Sequence, residues 1–113
     1  MNVLIRWKGA HRSRAVEDHL MRRLLFAIGR RAHRVRGVRV WLEDVNGPRG
    51  GIDKRCAIEL DGTAGLRRAD VMAADFYGAI DRAAAVAARA LSRGVAGPRA
   101  AHRLGLAPPH LLS

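Results

Sequence analysis

The 113-residue sequence predicts an α+β fold: a two-layer β-α-β-β-β-α sandwich with two helices packed on one face of a four-stranded sheet. Three observations predict it. Apolar and polar residues alternate near residues 3–8, 38–45 and 53–62, the period of a half-buried strand. Apolar residues recur at helical spacing near 14–33 and 76–93. Runs of turn formers, "NGPRGG" and "DGTAG", separate the later strand-like segments. Amphipathic helices and a sheet with one apolar face bury each other as two layers.

Each element follows from its own residues. In "VLIRWK" Val3, Ile5 and Trp7 share one face, and Leu4, Arg6 and Lys8 the other. Ser13 is placed to cap a helix over about 14–33, with Glu17 and Asp18 in its first turn, where negative charge suits the helix dipole. Val16, Leu20, Leu24 and Ile28 repeat every four residues, with Met21 and Leu25 beside them. "VRVWLEDV" sets Val38, Val40 and Leu42 against Arg39, Trp41 and Glu43. "DKRCAIELDG" sets Cys56, Ile58 and Leu60 against Arg55, Ala57 and Glu59, so Cys56 falls on the apolar face. "LRRADVM" carries the weakest pattern, a short strand with Ala69 and Val71 inward. Asp75 opens the second helix, whose inner stripe is Phe76, Ile80, Ala83, Ala87 and Ala90 or Leu91, and Gly94 stops it. The domain is expected to span 1–93, with 94–113 a flexible tail.

Composition narrows the function. The chain has 21 basic against 10 acidic residues, a formal charge of +11, and nineteen of the basic residues are Arg. High Ala and Arg together suggest a compositional bias that favours Arg over Lys, but that bias does not account for the surplus of charge. Such a surplus draws polyanions, nucleic acid first and anionic membranes second. A single cysteine fits a reducing compartment, and neither a signal peptide nor a membrane span is legible, so the expected location is cytoplasmic.

Catalysis finds no support. Cys56 would need an adjacent base and partial exposure to be a nucleophile, and its strand position turns it inward. The five histidines are scattered without metal-ligand spacing, and Gly47, Gly50 and Gly51 lie between two strands rather than before a helix, as a phosphate loop requires. No enzyme, no cofactor and no small-molecule substrate are expected.

Binding is better supported. Arg23, Arg30 and Arg34 are spaced i, i+7, i+11 along the first helix, and Arg82, Arg89 and Arg93 repeat that spacing on the second. Side by side, the rows would form one cationic strip, with Arg22 and Arg31 nearby. Lys54 is a further candidate contact. Trp41, beside Arg39 and Arg55 on the open sheet face, either stacks on a base or covers that face.

"ADFYGAIDRAAAVAARALSR" (74–93) resembles the second-helix signature of the ribosome hibernation promoting factor / protein Y family. The Asp-hydrophobic-Tyr-x-Ala-Ile-Asp opening is met by Asp75, Phe76, Tyr77, Ala79, Ile80 and Asp81. The likeness covers about residues 1–93, including "AVEDHL" and the strands flanking "NG". It implies a fold similar to double-stranded-RNA-binding domains. It also implies a stress-response role in which the protein binds small-subunit rRNA in the mRNA–tRNA channel and blocks idle ribosomes, as a monomer when off the ribosome. By position it implies RNA contacts at Arg89, Arg93 and Arg22 or Arg23, with Arg82 compensating for Val86, where many members carry Lys. Arg12 and Arg67 stand at positions usually apolar. Residues 94–113 do not resemble the extra domain of long members, so the chain looks like a short form. Two other readings stay open: a generic double-stranded RNA or DNA binder, and an interaction module for an acidic protein.

Overall fold

The order of elements is β1 (Asn2–Lys8), α1 (Arg14–Ile28), a 3-10 segment (Gly29–Arg34), β2 (Val35–Asp44), β3 (Lys54–Gly62), β4 (Gly65–Ala73) and α2 (Phe76–Ser92). They belong to a computed structural model that describes residues 2–46, 51–63 and 65–92. The predicted α+β architecture is observed. The sheet runs β1-β2-β3-β4, with β1 parallel to β2 and the other neighbours antiparallel. Most of the "NGPRGG" loop, Arg93 and the proposed tail lie outside the described residues.

Both helices begin as their caps predict. Ser13 Oγ accepts from the Val16 N–H at 3.3 Å, and Asp75 Oδ1 accepts from the Gly78 N–H at 2.7 Å. Glu17 does more than favour the dipole. Its carboxylate accepts from the Trp7 indole at 2.7 Å and from Arg12 at 2.9 Å, tying α1 to β1. Burial alone would raise its pKa, but these two donors hold it below the usual range.

The first helix stops earlier than predicted. Gly29 adopts φ +49° and donates to Leu25 O, ending α1 at Ile28. Glycine reaches positive φ without steric cost, so the chain turns there and continues as a 3-10 segment to Arg34.

The core lies between the layers. Val16, Leu20, Leu24 and Ile28 of α1, Ile80, Ala83, Ala87 and Leu91 of α2, and the inward residues of β2 and β3 are all buried. Leu25, by contrast, is 58% exposed, because 100° per residue carries it off the stripe. β4 is a full nine-residue strand, with Ala69 and Val71 inward as expected. Arg67 shares that inward face through its pairing with Leu60, and only 6% of it is exposed.

One glycine pins the 3-10 segment to the sheet. Thr63 N–H donates to Arg34 O at 2.8 Å, and a Cβ on Gly62 would sit 2.8 Å from that same oxygen. Gly62→Ala should therefore lower stability by about 1–3 kcal/mol, the usual cost of forced overpacking, as read from urea midpoints. Gly37→Ala, whose Cβ would meet Asn2 O at an ordinary 3.7 Å, should stay within about 0.5 kcal/mol of the parent.

Candidate nucleic-acid interface

The two faces of the molecule treat charge differently. On the sheet face away from the helices, cations and acids interleave across all four strands. Glu43 sits 3.9 Å from Lys8 and 3.1 Å from Arg55, and Arg55 reaches on to Asp70 at 2.8 Å. Arg68 bridges Asp70 at 3.5 Å and Glu59 at 3.7 Å, and Glu59 meets Arg39 at 3.5 Å. Hydrogen bonding to Arg55 holds the Asp70 carboxyl below its usual range against the opposing effect of burial, and Arg55 is correspondingly raised. Within this lattice Trp41 is half-buried, with the Arg68 guanidinium 5.2 Å from its ring centroid. Trp41 thus covers the sheet, the second of its two expected uses. Ala57, its cross-strand partner, is fully buried on the nominally open face.

Cys56 is inward and fully buried, and burial pushes its thiol up to about 12, with the Asp70 charge adding to the effect. That leaves negligible thiolate near neutral pH.

The helical side carries the remaining charge, but not as the predicted strip. Asp81 faces α1, where it meets His19 at 2.7 Å and Arg23 at 3.3 Å. Arg82, one residue on, turns the other way and donates to Met72 O of β4 at 2.8 Å. A seven-residue spacing puts Arg89 on nearly the same line of α2 as Arg82. The α2 row therefore lies outward and toward β4, not along the seam with α1. Arg30 and Arg34 leave the α1 row altogether, because the helix ends before them. Arg93 lies outside the described residues.

Lys54 is also tied down, with its ammonium 2.8 Å from buried Asp53 and 3.3 Å from Asp44. The hydrogen bond to Asp53 raises its pKa, with the Asp44 contact adding to the effect against the cost of desolvation.

What the fold brings together instead is one cationic end. β1, β2 and β4 run in the same direction, and each helix returns from the end of one of them. The early turns of the two helices meet, His19 stacking edge-on against Tyr77 at 5.1 Å. Both helices thus run the same way and finish at the same end of the sandwich. Arg30, Arg31, His33 and Arg34 of the 3-10 segment gather there with Arg89 of the last α2 turn. Arg22, Arg30 and Arg89 are exposed, and with Arg31 and Arg34 they make no ion pair among the described residues. Cations at helix C-termini also complement the negative end of the dipole.

A sequence signal for this cluster exists. Between Asp18 and Glu43 the chain holds seven arginines and no acid, and after Asp81 it holds five arginines and no acid. Counting acid-free runs puts Arg31 in the cluster, where a search for helical rows leaves it only nearby.

Scanned against protein families the chain matches none, and no curated protein matches it in sequence. Among solved structures it is similar to the N-terminal domain of Thermus thermophilus Protein Y. The TM-score is 0.67 at 23% identity, over 82% of this chain and 98% of that one. It is also similar to a ribosomal subunit interface protein from Coxiella burnetii, with TM-score 0.71 at 15% identity, over 85% of this chain and 99% of that one. The chain therefore has the fold of the Protein Y N-terminal domain along nearly the full length of that domain, with a cationic end where its two helices finish, at which Asp61 pairs with Arg36 and leaves Arg30, Arg31, Arg34 and Arg89 without an ion pair among the described residues.

Proposed function

We propose that this chain is a ribosome-associated factor that binds small-subunit rRNA in the mRNA–tRNA channel and silences idle ribosomes by occupying it. Residues 1–93 act as the binding unit. The observation that carries this reading is the cationic end formed by Arg30, Arg31, Arg34 and Arg89, continued along the exposed side of α1 by Arg22, on a fold shared with two proteins whose names place one of them at the ribosomal subunit interface. Guanidinium groups suit phosphate, and a rigid sandwich presents them in fixed register to a structured RNA. Arg23 and Arg82 are held nearer the start of α2, by Asp81 and the Met72 carbonyl, and flank the helical side away from that end. Arg93 extends the α2 line by sequence. Lys54 is a weaker contributor, since two carboxylates already balance it. Occupation alone inhibits, with no chemical step, and the chain works in the cytoplasm as a monomer when free.

Salt dependence is the direct test. If about five phosphates are neutralised, affinity for isolated small subunits falls by roughly 100-fold between about 50 and 200 mM salt. Cosedimentation across that range measures it. Binding indifferent to salt would sink the electrostatic account. Subunits preloaded with mRNA and tRNA should exclude the chain, whereas a generic duplex binder would pellet with them unchanged.

A further inference from the structure

The most exposed large apolar side chain among the described residues is Phe26, at 79%. Its place on α1 explains the exposure. The buried stripe runs Val16, Leu20, Leu24, Ile28, and Phe26 falls more than a quarter turn off it. The ring does nothing for the core, and Leu25 beside it, 58% exposed, widens the apolar patch. The one ring contact it makes among the described residues is with Arg23, whose guanidinium sits 5.5 Å from the ring centroid. Arg22 lies one turn before it on the same face of α1, and Arg30 follows beyond the helix end, both exposed, in the stretch without any acid.

Trp41, the aromatic that the sequence offers for stacking, is committed to the sheet face under Arg68. Phe26 has a guanidinium at its ring too, but it is not packed against the sheet and stays largely open to solvent. An apolar protein pocket could take the ring as well, but it would need carboxylates placed at its rim to balance the neighbouring guanidinium groups. An unpaired nucleotide satisfies both, since its base presents a flat π-face and its phosphates meet the arginines.

We propose that Phe26 is a stacking platform for one unpaired nucleobase of small-subunit rRNA, with Arg22, one turn back on the same face of α1, holding a neighbouring phosphate. This rests on the ribosomal reading above and adds to it a single-stranded element that the partner must present at the end of α1.

The test uses the full chain with small subunits stripped of mRNA, and a free single-stranded oligoribonucleotide in a parallel arm. Binding is measured for the parent, Phe26→Ala, Phe26→Leu and Phe26→Trp, with urea midpoints confirming that all are folded. Base-specific chemical probing of the rRNA accompanies the subunit arm. Loss of one stacked base should weaken binding about 10-fold or more for both Phe26→Ala and Phe26→Leu, while Phe26→Trp restores it. The same two variants should re-expose one unpaired nucleotide that the parent protects. Parent-like binding by Phe26→Leu would mean an apolar protein contact instead and would overturn the proposal. Parent-like binding by all variants would overturn it while leaving the ribosomal reading intact. Should the parent fail to pellet with subunits, the ribosomal reading falls. The oligonucleotide arm then decides stacking by itself: weakening by Phe26→Ala upholds the platform, and equal binding overturns it.

Discussion

Reversing charge at Arg22 and Arg89 together should lower affinity for small ribosomal subunits by about two to four orders of magnitude. Each side chain is exposed and makes no ion pair among the described residues, so neither is needed inside the fold. A charge-assisted hydrogen bond is worth roughly 1.5–3 kcal/mol, and removing two gives about 3–6 kcal/mol before any repulsion is counted. Exposed substitutions usually move stability by no more than about 0.5 kcal/mol, so the urea midpoint should hardly change. Cosedimentation at one fixed salt concentration measures the loss. Arg6→Glu is the control. It reverses a charge on the opposite sheet face, and it should have far less effect if the cationic end, rather than the net charge, makes the contact. A loss at Arg6 as large as that at Arg22 would mean that the whole field, with no particular surface, draws the RNA.

The largest stability effect should come from Leu24→Ala. Leu24 is fully buried in the centre of the α1 stripe, where truncation removes transfer energy and leaves a cavity as well. Such changes cost about 3–5 kcal/mol, a large part of the roughly 5–15 kcal/mol that stabilises a domain of this kind. At about 4–8 °C per kcal/mol, thermal unfolding should shift down by roughly 12 °C or more. Leu25→Ala, one residue along, should change stability by no more than about 0.5 kcal/mol, because that side chain already faces water. Calorimetry on the pair measures the difference. Similar losses at both positions would mean that the helix is rotated from the orientation described here.

Much of the fold was legible because it depends on local spacing. The four-residue apolar repeat marked the buried stripe of α1, and Ser13 and Asp75 marked both helix starts. Alternation in β2 and β3 assigned Cys56, Ile58 and Leu60 inward without any long-range information. The end of α1 was less legible. Gly29 can sit inside a helix or end one, and the chain beyond it stays polar and basic either way, so periodicity alone carried the helix to about residue 33.

The candidate site was harder to read, since it depends on where each charge finds a partner. Arg23 and Arg30 look alike on a helical wheel, yet one meets Asp81 from 58 residues away and the other lies past the helix end. Lys54 and Arg82, named as contacts from the sequence, turn out to have partners of their own in Asp44, Asp53 and the Met72 carbonyl. Trp41 was ambiguous until Arg68 settled over its ring.

The sequence by itself determined the element order, the inward faces, the caps and the surplus of arginine, because each is a property of neighbours within a few residues. Only the tertiary structure decided which arginines stay free. Strand pairing and helix packing bring acids and carbonyls to some guanidinium groups and leave others at the shared helix ends, and that distribution follows from through-space distance rather than position along the chain.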